Sequence, residues 1–391
     1  MSSLPLFPVT MVGSWPRPPE LLHALGHKQR GALSAREFDR VADKSVLAAL
    51  RIQEAAGVDL VTDGEQRRDN FYSFVAEKLE GVRLMSLAEM LDIVEDKESF
   101  GKLLATLDVP AFSIRNPTCV GRIRRRQPLV LGDYEFLRRH TDRPIKVTLP
   151  GPYLLTRAMW VKEATRDAYP TKEDLGEDVI SILRDEVAAL RDAGVAFIQF
   201  DEPVLTELVF TQGRTRTFMC AAMASGKDPA EELSFAVHLI NRVIDGPGTA
   251  LTGIHVCRGN WSQNEATLLR GSYRPLAPYL AQMNVDQLVL EYATPRAGDF
   301  VAVPGKSIGL GVVNPRIEEV ESAASIVRRV DHVLKHVAPR QIFLNPDCGF
   351  GTFASRAMNS PEIAARKLGA IAEAAAILRE RERPALEDRI F

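Results

Sequence analysis

His255 and Cys257 stand two positions apart in the run Gly253 to Asn260, led in by the apolar residues Leu251 and Ile254 and ended by Gly259. This pattern predicts a short buried strand that stops at a glycine turn. Side chains alternate faces along a strand, so the imidazole and the thiol point the same way. A neutral imidazole beside a thiolate at a strand's end is a ligand pair of the kind zinc takes. Two later strand-like runs end in compatible ligands, Leu288 to Glu291 and Phe343 to Gly349, the second containing Cys348. The expectation is that His255, Cys257, Glu291 and Cys348 meet around one Zn²⁺. Such a site has an obvious use. A free thiol is mostly protonated at neutral pH and a poor nucleophile, and binding to zinc deprotonates it. Glu291, the one carboxylate of the set, is the candidate for a ligand that yields when a substrate thiolate arrives.

Other polar residues sit at the ends of apolar runs. Phe197 to Phe200 leads into Asp201, Glu202 and Pro203. Only one of two successive carboxylates can face a site, and Asp201 is expected to do so, as an anion for a substrate ammonium. Glu65 follows Val58 to Val61 in the charged cluster Asp63 to Arg68, and is expected to act similarly unless it pairs with Arg67 or Arg68. Ser14 and the backbone at Gly13 would offer donors to a carboxylate, or form a plain turn. Trp15 and Trp160 are aromatic walls or ordinary packing. His332 and His336 are read as surface residues, and His238, in an apolar helical pattern, as a core histidine.

The elements that must position these residues form a regular series. Strand candidates lie near 9–12, 58–61, 145–149, 197–200, 253–257, 287–291, 307–312 and 342–345. Most precede a helical pattern. Helices are predicted from Ser34 to about Ala56, Thr171 to Ala193, Pro229 to Ile244, near Ala277, from Ile317 to His336, and from Ser360 to about Leu378. Eight apolar strands alternating with helices, with polar residues at their C-terminal ends, predict an α/β fold of the (β/α)₈ TIM-barrel type with its site at the top. An open doubly wound sheet is the alternative, but Gly13 to Pro16 is no phosphate-binding turn. Residues 1–391 are read as a single barrel domain. The rhythm breaks at about 70–145, read as an arm and hairpin inserted after the second strand. It includes a helix from Ser86 to Glu95 and a strand from Cys119 to Gln127, whose Arg124, Arg125 and Arg126 are taken as a solvated edge.

The totals narrow the function classes. The chain has 391 residues, 46% hydrophobic and 26% charged, with a net charge of −2. This is ordinary globular composition, and the charge balance gives no reason to expect nucleic acid or an anionic membrane as partner. No apolar run approaches the roughly 20 residues a membrane span needs, and no signal peptide is visible at Met1 to Pro8. Four cysteines, Cys119, Cys220, Cys257 and Cys348, do not make a disulfide scaffold in this length. A reducing cytoplasm is expected, where thiols stay available to metal. Nothing in the sequence specifies an oligomeric state.

In their order along the chain, Val12 to Arg17, Asp63 to Glu65, Gln199 to Pro203, His255 to Cys257, Glu291 and Asn345 to Gly349 resemble the catalytic domain of the cobalamin-independent methionine synthase family. The resemblance runs from about Val9 to Leu378. It implies a (β/α)₈ barrel, a zinc held by the His, Cys, Glu, Cys set, homocysteine as thiol acceptor, and a 5-methyltetrahydrofolate polyglutamate as methyl donor. The length is similar to that of single-barrel members, without the second, N-terminal barrel of the full-length plant and bacterial enzymes. In the folate-using members an Arg-Cys pair in the arm helps hold the folate, where this chain has Thr118 and Cys119. Those members also carry a histidine in the loop after the seventh strand, and Gly311 to Arg316 contains none. The expected partners are thus a small-molecule thiol and a methyl donor that is either a methyl-folate or a corrinoid protein. Two other readings belong to related barrels: a zinc-dependent alkyl-thiol transferase or C–S lyase of the coenzyme M type, and a zinc-free barrel like the porphyrinogen decarboxylases.

Overall fold

The structure is a computed structural model that describes residues 4–93, 97–98, 115–210, 228–260, 262–263 and 268–387. Cys220 and the end of the predicted arm helix at Glu95 lie outside the described residues.

Six strands form a parallel sheet in strict chain order: β3 Lys146–Pro150, β4 Phe197–Asp201, β5 Leu251–Val256, β6 Gln287–Leu290, β7 Ser307–Val313 and β8 Ile342–Pro346. Their residues are buried almost throughout, as expected of strands covered on both faces. The first two predicted strands are present only as single parallel bridges. Val9 bridges Leu344 of β8, Thr10 bridges Leu60, and Val61 bridges Ile145, just before β3. Thr10 N–H donates to the Leu344 carbonyl at 2.9 Å, and Lys146 N–H to the Val61 carbonyl at 2.8 Å. These bridges set two further parallel segments, near Val9 and Leu60, between the two edges of the six-stranded sheet.

Helices cover the outside, and their starts follow from capping chemistry. Ser34 caps Ala35–Ala55 and Thr171 caps Lys172–Asp192, each in a capping box, and Asp228 caps Pro229–Ile244. The helix predicted from Ile317 begins only at Ala323, because Ser322 is its cap. The helix Pro152–Met159 has no counterpart in the sequence reading. All eight of its residues are buried, so it has no polar face to show a helical period.

The inserted arm is an antiparallel pair, β1 Leu79–Ser86 and β2 Arg115–Arg125. Its Leu79, Met85, Cys119 and Ile123 join the main hydrophobic core. The arginine run is a solvated edge only in part. Arg124 and Arg126 are exposed, but Arg125 donates to Glu186, whose side chain is fully buried. Glu186 also accepts the N–H groups of Leu129, Val130 and Leu131, so Arg125 neutralises a carboxylate committed to a chain turn.

The barrel interior is layered. Leu60, Phe197 and Phe343 form an apolar plug near the N-terminal ends of the strands, with the two phenyl rings 6.3 Å apart. Lys146 and Gln199 lie in hydrogen-bonding contact within the interior, both buried. The polar strand ends follow.

Candidate metal centre and acceptor pocket

β5 delivers His255 near its end and Cys257 just beyond it, and β8 delivers Cys348 two residues past Pro346. One ligand atom from each of the three lies within 4.8 Å of the others, and all three residues are buried. His255 Nδ1 is 3.2 Å from the Val289 carbonyl, and Nε2 is buried without a hydrogen-bond partner. A carbonyl can only accept, so Nδ1 carries a proton, and Nε2 is the nitrogen left to take a metal. A backbone acceptor fixing the tautomer of a ligating histidine is a recurring feature of metal sites. Electrostatics point the same way. Cys257, through hydrogen bonding and charge, together with burial, drives the Cys348 thiol well above its ordinary range. For His255 burial works downward, but Cys348, Asp201 and Glu291 outweigh it and push the imidazole up to about 9. A Cys348 thiol driven up beside an imidazole pulled toward its protonated form marks a site that lacks the positive charge a bound cation would supply. The donor set fits a metal that takes sulfur and nitrogen ligands.

Glu291 is buried at the end of β6, but the structure does not bring it into the three-residue cluster. One carboxylate oxygen accepts the Arg258 backbone N–H at 2.8 Å and the Asn260 amide, and the other accepts Arg296 at 2.8 Å. Arg258 is itself pinned, with its guanidinium 3.7 Å from the centre of the Tyr273 ring and donating to the Gly271 carbonyl.

The same cavity is lined by Ser14, Glu65 and Asp201 along with His255, Cys257 and Cys348. Glu65 is one of two non-glycine residues described with positive φ, at 54°. A buried side chain held in this sparsely populated conformation marks a position fixed by its surroundings. Its carbonyl accepts Arg17 at 2.8 Å, its N–H donates to Asp63 at 3.0 Å, and Oε1 accepts Thr148 Oγ1 at 2.9 Å. Arg68 is only loosely paired with it, at 3.9 Å, while Oε2 has no partner. Gly13 makes this possible, since a Cβ there would stand 2.3 Å from Glu65 Oε1. Likewise a Cβ on Gly349 would stand 2.1 Å from Ser14 Oγ.

Asp201 lines this cavity, and Glu202 is bound elsewhere. Glu202 accepts the Tyr153 and Leu154 N–H groups at 2.7 and 3.0 Å, at the start of the helix Pro152–Met159. Burial pushes the Asp201 carboxyl up to about 6, with His255 pulling against the rise and Glu65 adding to it. Two buried carboxyl groups facing one cavity suit a cationic guest. A larger cleft opens at the opposite end of the strands, lined by Pro8, Ile145, Leu251 and Phe343, and contains none of these residues.

Comparison with known proteins decides the class. Residues 7–375 match the family described as the catalytic domain of cobalamin-independent synthase. The chain belongs to that family. Among curated relatives, it is 30% identical to the methionine synthase of Pyrococcus abyssi over 384 residues, 96% of this chain and 94% of that one. It is 28% identical to the methionine synthase of Saccharolobus solfataricus over 386 residues, 97% of each chain. Among solved structures, a B12-independent methionine synthase from Shewanella in complex with selenomethionine superposes with a TM-score of 0.70 at 23% identity, covering 96% of this chain and 98% of that one. Membership makes the chain a cobalamin-independent methyltransferase, and it sets aside the zinc-free decarboxylase reading. Among the described residues, no helix is long and apolar enough to cross a membrane.

Against the family pattern, the arm position at Thr118 and Cys119 offers no cation. Both are fully buried, with Thr165 donating to the Cys119 carbonyl. Of the remaining sequence expectations, His332 and His336 are exposed, and Trp160 is a packing residue bonded to the Tyr169 carbonyl. Trp15 is buried edge-on to Phe350. His238 corrects its expectation: its side chain is 52% exposed and lies 3.9 Å from Glu177. Its helix buries Leu233, Ala236, Val237, Leu239 and Ile240, and position 238 falls on the opposite face. Sequence reading missed Arg258 and Asn260, which lie in a loop, and Arg296, which lies in the one-turn 3₁₀ helix Pro295–Ala297, too short to show a period. It also missed Gln199, which strand alternation places on the same face as Asp201.

Proposed function

We propose that the chain transfers a methyl group to the sulfur of homocysteine, with Zn²⁺ held by His255, Cys257, Cys348 and Glu291. The carrying observation is a free His255 Nε2 beside two buried thiols, sharing one cavity with Asp201 and Glu65. Zinc bound there would supply the charge that strips a thiol of its proton and keeps the sulfur nucleophilic. His255, Cys257 and Cys348 are preassembled for it. Glu291 would be the fourth ligand, and Arg296, Asn260 and the Arg258 N–H, which hold its carboxylate here, would hold it whenever it is not on the metal. Asp201 and Glu65 hold the acceptor's ammonium. The Ser14 hydroxyl and the backbone at Gly13 donate to its carboxylate. Two carboxyl groups in the pocket favour an amino-acid thiol over a thiol bearing a sulfonate, and so disfavour the coenzyme M type of alkyl transfer or C–S cleavage.

The donor is a methyl-folate or a corrinoid-bound methyl group. The buried, uncharged Thr118 and the segment Gly311 to Arg316, at the end of β7 and beyond it, without histidine favour a donor other than a folate polyglutamate. Residues 1–391 act as one barrel domain with its arm at about 70–145, working in a reducing compartment such as the cytoplasm, where Cys257 and Cys348 stay free for metal.

The test is an assay of purified, zinc-analysed protein with homocysteine against methyl-folate polyglutamate and methylcobalamin. Methylation of homocysteine with either donor supports the acceptor reading, and failure with both refutes it. Turnover with the folate donor of roughly 1 per second or more, within the usual range of enzymes, would overturn the donor reading.

A further inference from the structure

Lys146 is sealed inside the barrel, 2% exposed, where burial pulls its ammonium down to about 7 against Asp201 and Glu65, and the chemistry above gives it no part. A buried ammonium is costly unless its donors are engaged. Here Nζ donates to the Met11 carbonyl and, at 3.2 Å, to Oε1 of Gln199. Gln199, fully buried, then donates from Nε2 to the Val12 carbonyl at 3.0 Å and to Asp201 Oδ1 at 2.9 Å. Every link has a fixed sense. The Val12 carbonyl can only accept, so the amide N–H₂ must face it and Asp201, and Oε1 then faces Lys146 Nζ. Turned over, the amide would set its oxygen against the Val12 carbonyl and a carboxylate.

We infer that Lys146 and Gln199 are positioning residues that hold the Asp201 carboxylate in place for the acceptor's ammonium, and so set the preference for an amino-acid thiol. The inference rests on the proposed role of Asp201. Lys146 reaches that carboxylate only through Gln199, so it acts without touching the substrate. Strand geometry explains the arrangement. Lys146 pairs with Phe197 and Pro150 with Asp201 across β3 and β4, so Lys146 sits four residues below the level of the site. A lysine is long enough to reach Gln199 from there.

The test measures binding by calorimetry on the zinc-loaded protein, with homocysteine and with 4-mercaptobutanoate, the same thiol without its amino group. The readout is the ratio of the two dissociation constants, alongside zinc content and melting temperature. Lys146→Met should lower the preference for homocysteine by about tenfold or more, the scale of one charge-assisted hydrogen bond, with zinc content unchanged. Lys146→Met combined with Gln199→Leu replaces both ends of the link by apolar groups and leaves no orphaned amide oxygen. If Lys146 serves only to satisfy Gln199, the double variant recovers both stability and preference, and the inference is wrong. If it positions Asp201, stability recovers and the preference stays lost. The double variant also decides the matter should Lys146→Met fail to fold. Asp201→Asn separates the two layers. Loss of preference in Asp201→Asn but not in the Lys146 and Gln199 variants sinks this inference alone. No loss in any variant, or no preference in the wild type, sinks the ammonium reading and this inference with it.

Discussion

The two sides of the cavity are built in opposite ways. On the sulfur side, His255, Cys257 and Cys348 converge with Nε2 unpartnered and the Cys348 thiol driven upward by Cys257. The described lining supplies donors there and no lysine or arginine. On the ammonium side, most polar atoms are already bonded: Asp201 to Gln199, Glu65 to Thr148, and Thr148 to Arg68. A side completed by an ion needs only ligands at the right spacing. A side that must read a shape and charge needs a scaffold behind each group. The first kind is therefore carried by a few residues and fails outright when one is lost. The second is spread over a network and weakens by degrees.

The largest effect is expected on the sulfur side. Cys257→Ser and Cys348→Ser should each lose most of about one zinc per chain. Each should also lower methyl transfer by a thousandfold or more, while circular dichroism shows the barrel folded. Full zinc in both variants, by elemental analysis, would rule the site out.

Glu291 lies between the two designs, as a proposed ligand already satisfied by protein. Its partner Arg296 has only 1% of its side chain exposed, as does Glu291. Breaking a buried ion pair from one side costs about 3–5 kcal/mol. Arg296→Gln should therefore lower the melting temperature of the zinc-free protein strongly, and that of the zinc-loaded protein much less. An equal loss in both forms would mean that Glu291 stays on Arg296 when zinc is bound, and is not a ligand.

The neighbours Asp201 and Glu202 show what separates a site group from a structural one. Burial pushes Glu202 up to about 8, against the pull of the Tyr153 and Leu154 N–H groups. Its folded pKa is thus raised above the unfolded value of about 4.3, so between these values the folded state binds more protons than the unfolded. Stability from this group falls as pH rises through that window. Each pKa unit corresponds to about 1.4 kcal/mol, so the loss is of the order of a few kcal/mol. Glu202→Gln, neutral at every pH, should gain on the wild type in melting temperature between pH 5 and pH 8. Comparing the two proteins at each pH cancels the shared pH dependence of metal binding. A constant difference would show that Glu202 is ionised in the fold.

What the sequence revealed follows the same division. The apolar runs at 145–149, 197–200, 253–257 and 342–345 are strands in the structure because a segment buried on both faces needs little beyond apolar residues and a stop. His255 and Cys257 could be read as a pair because residues two apart, at the end of one strand and just past it, fall on the same face. The first two strands were visible as patterns, yet they pair only through single bridges, which no pattern reports. The seat of Glu291 was invisible, because Arg296 reaches it from a single 3₁₀ turn, Pro295–Ala297. The link from Lys146 to Gln199 was invisible too, since it crosses between strands and depends on register. Pro152–Met159 was missed because complete burial erases the helical period.

The smallest expected effect is the most selective one. Zinc fixes a sulfur but cannot tell one thiol from another, so selection must come from groups that read the rest of the molecule. Asp201→Asn keeps the size of the side chain and its bond to Gln199 in altered form, and removes the charge. A charge-assisted hydrogen bond is worth about 1.5–3 kcal/mol, or about 10- to 150-fold at 1.4 kcal/mol per decade. The kcat/KM for homocysteine should fall by at least about tenfold with zinc content unchanged, and a thiol without an ammonium should lose far less. Equal losses for both thiols would mean that Asp201 serves the metal or the fold rather than the ammonium. A wild-type preference for the simple thiol would move the acceptor out of the amino-acid class. The two carboxyl groups of the pocket would then need another cation to face.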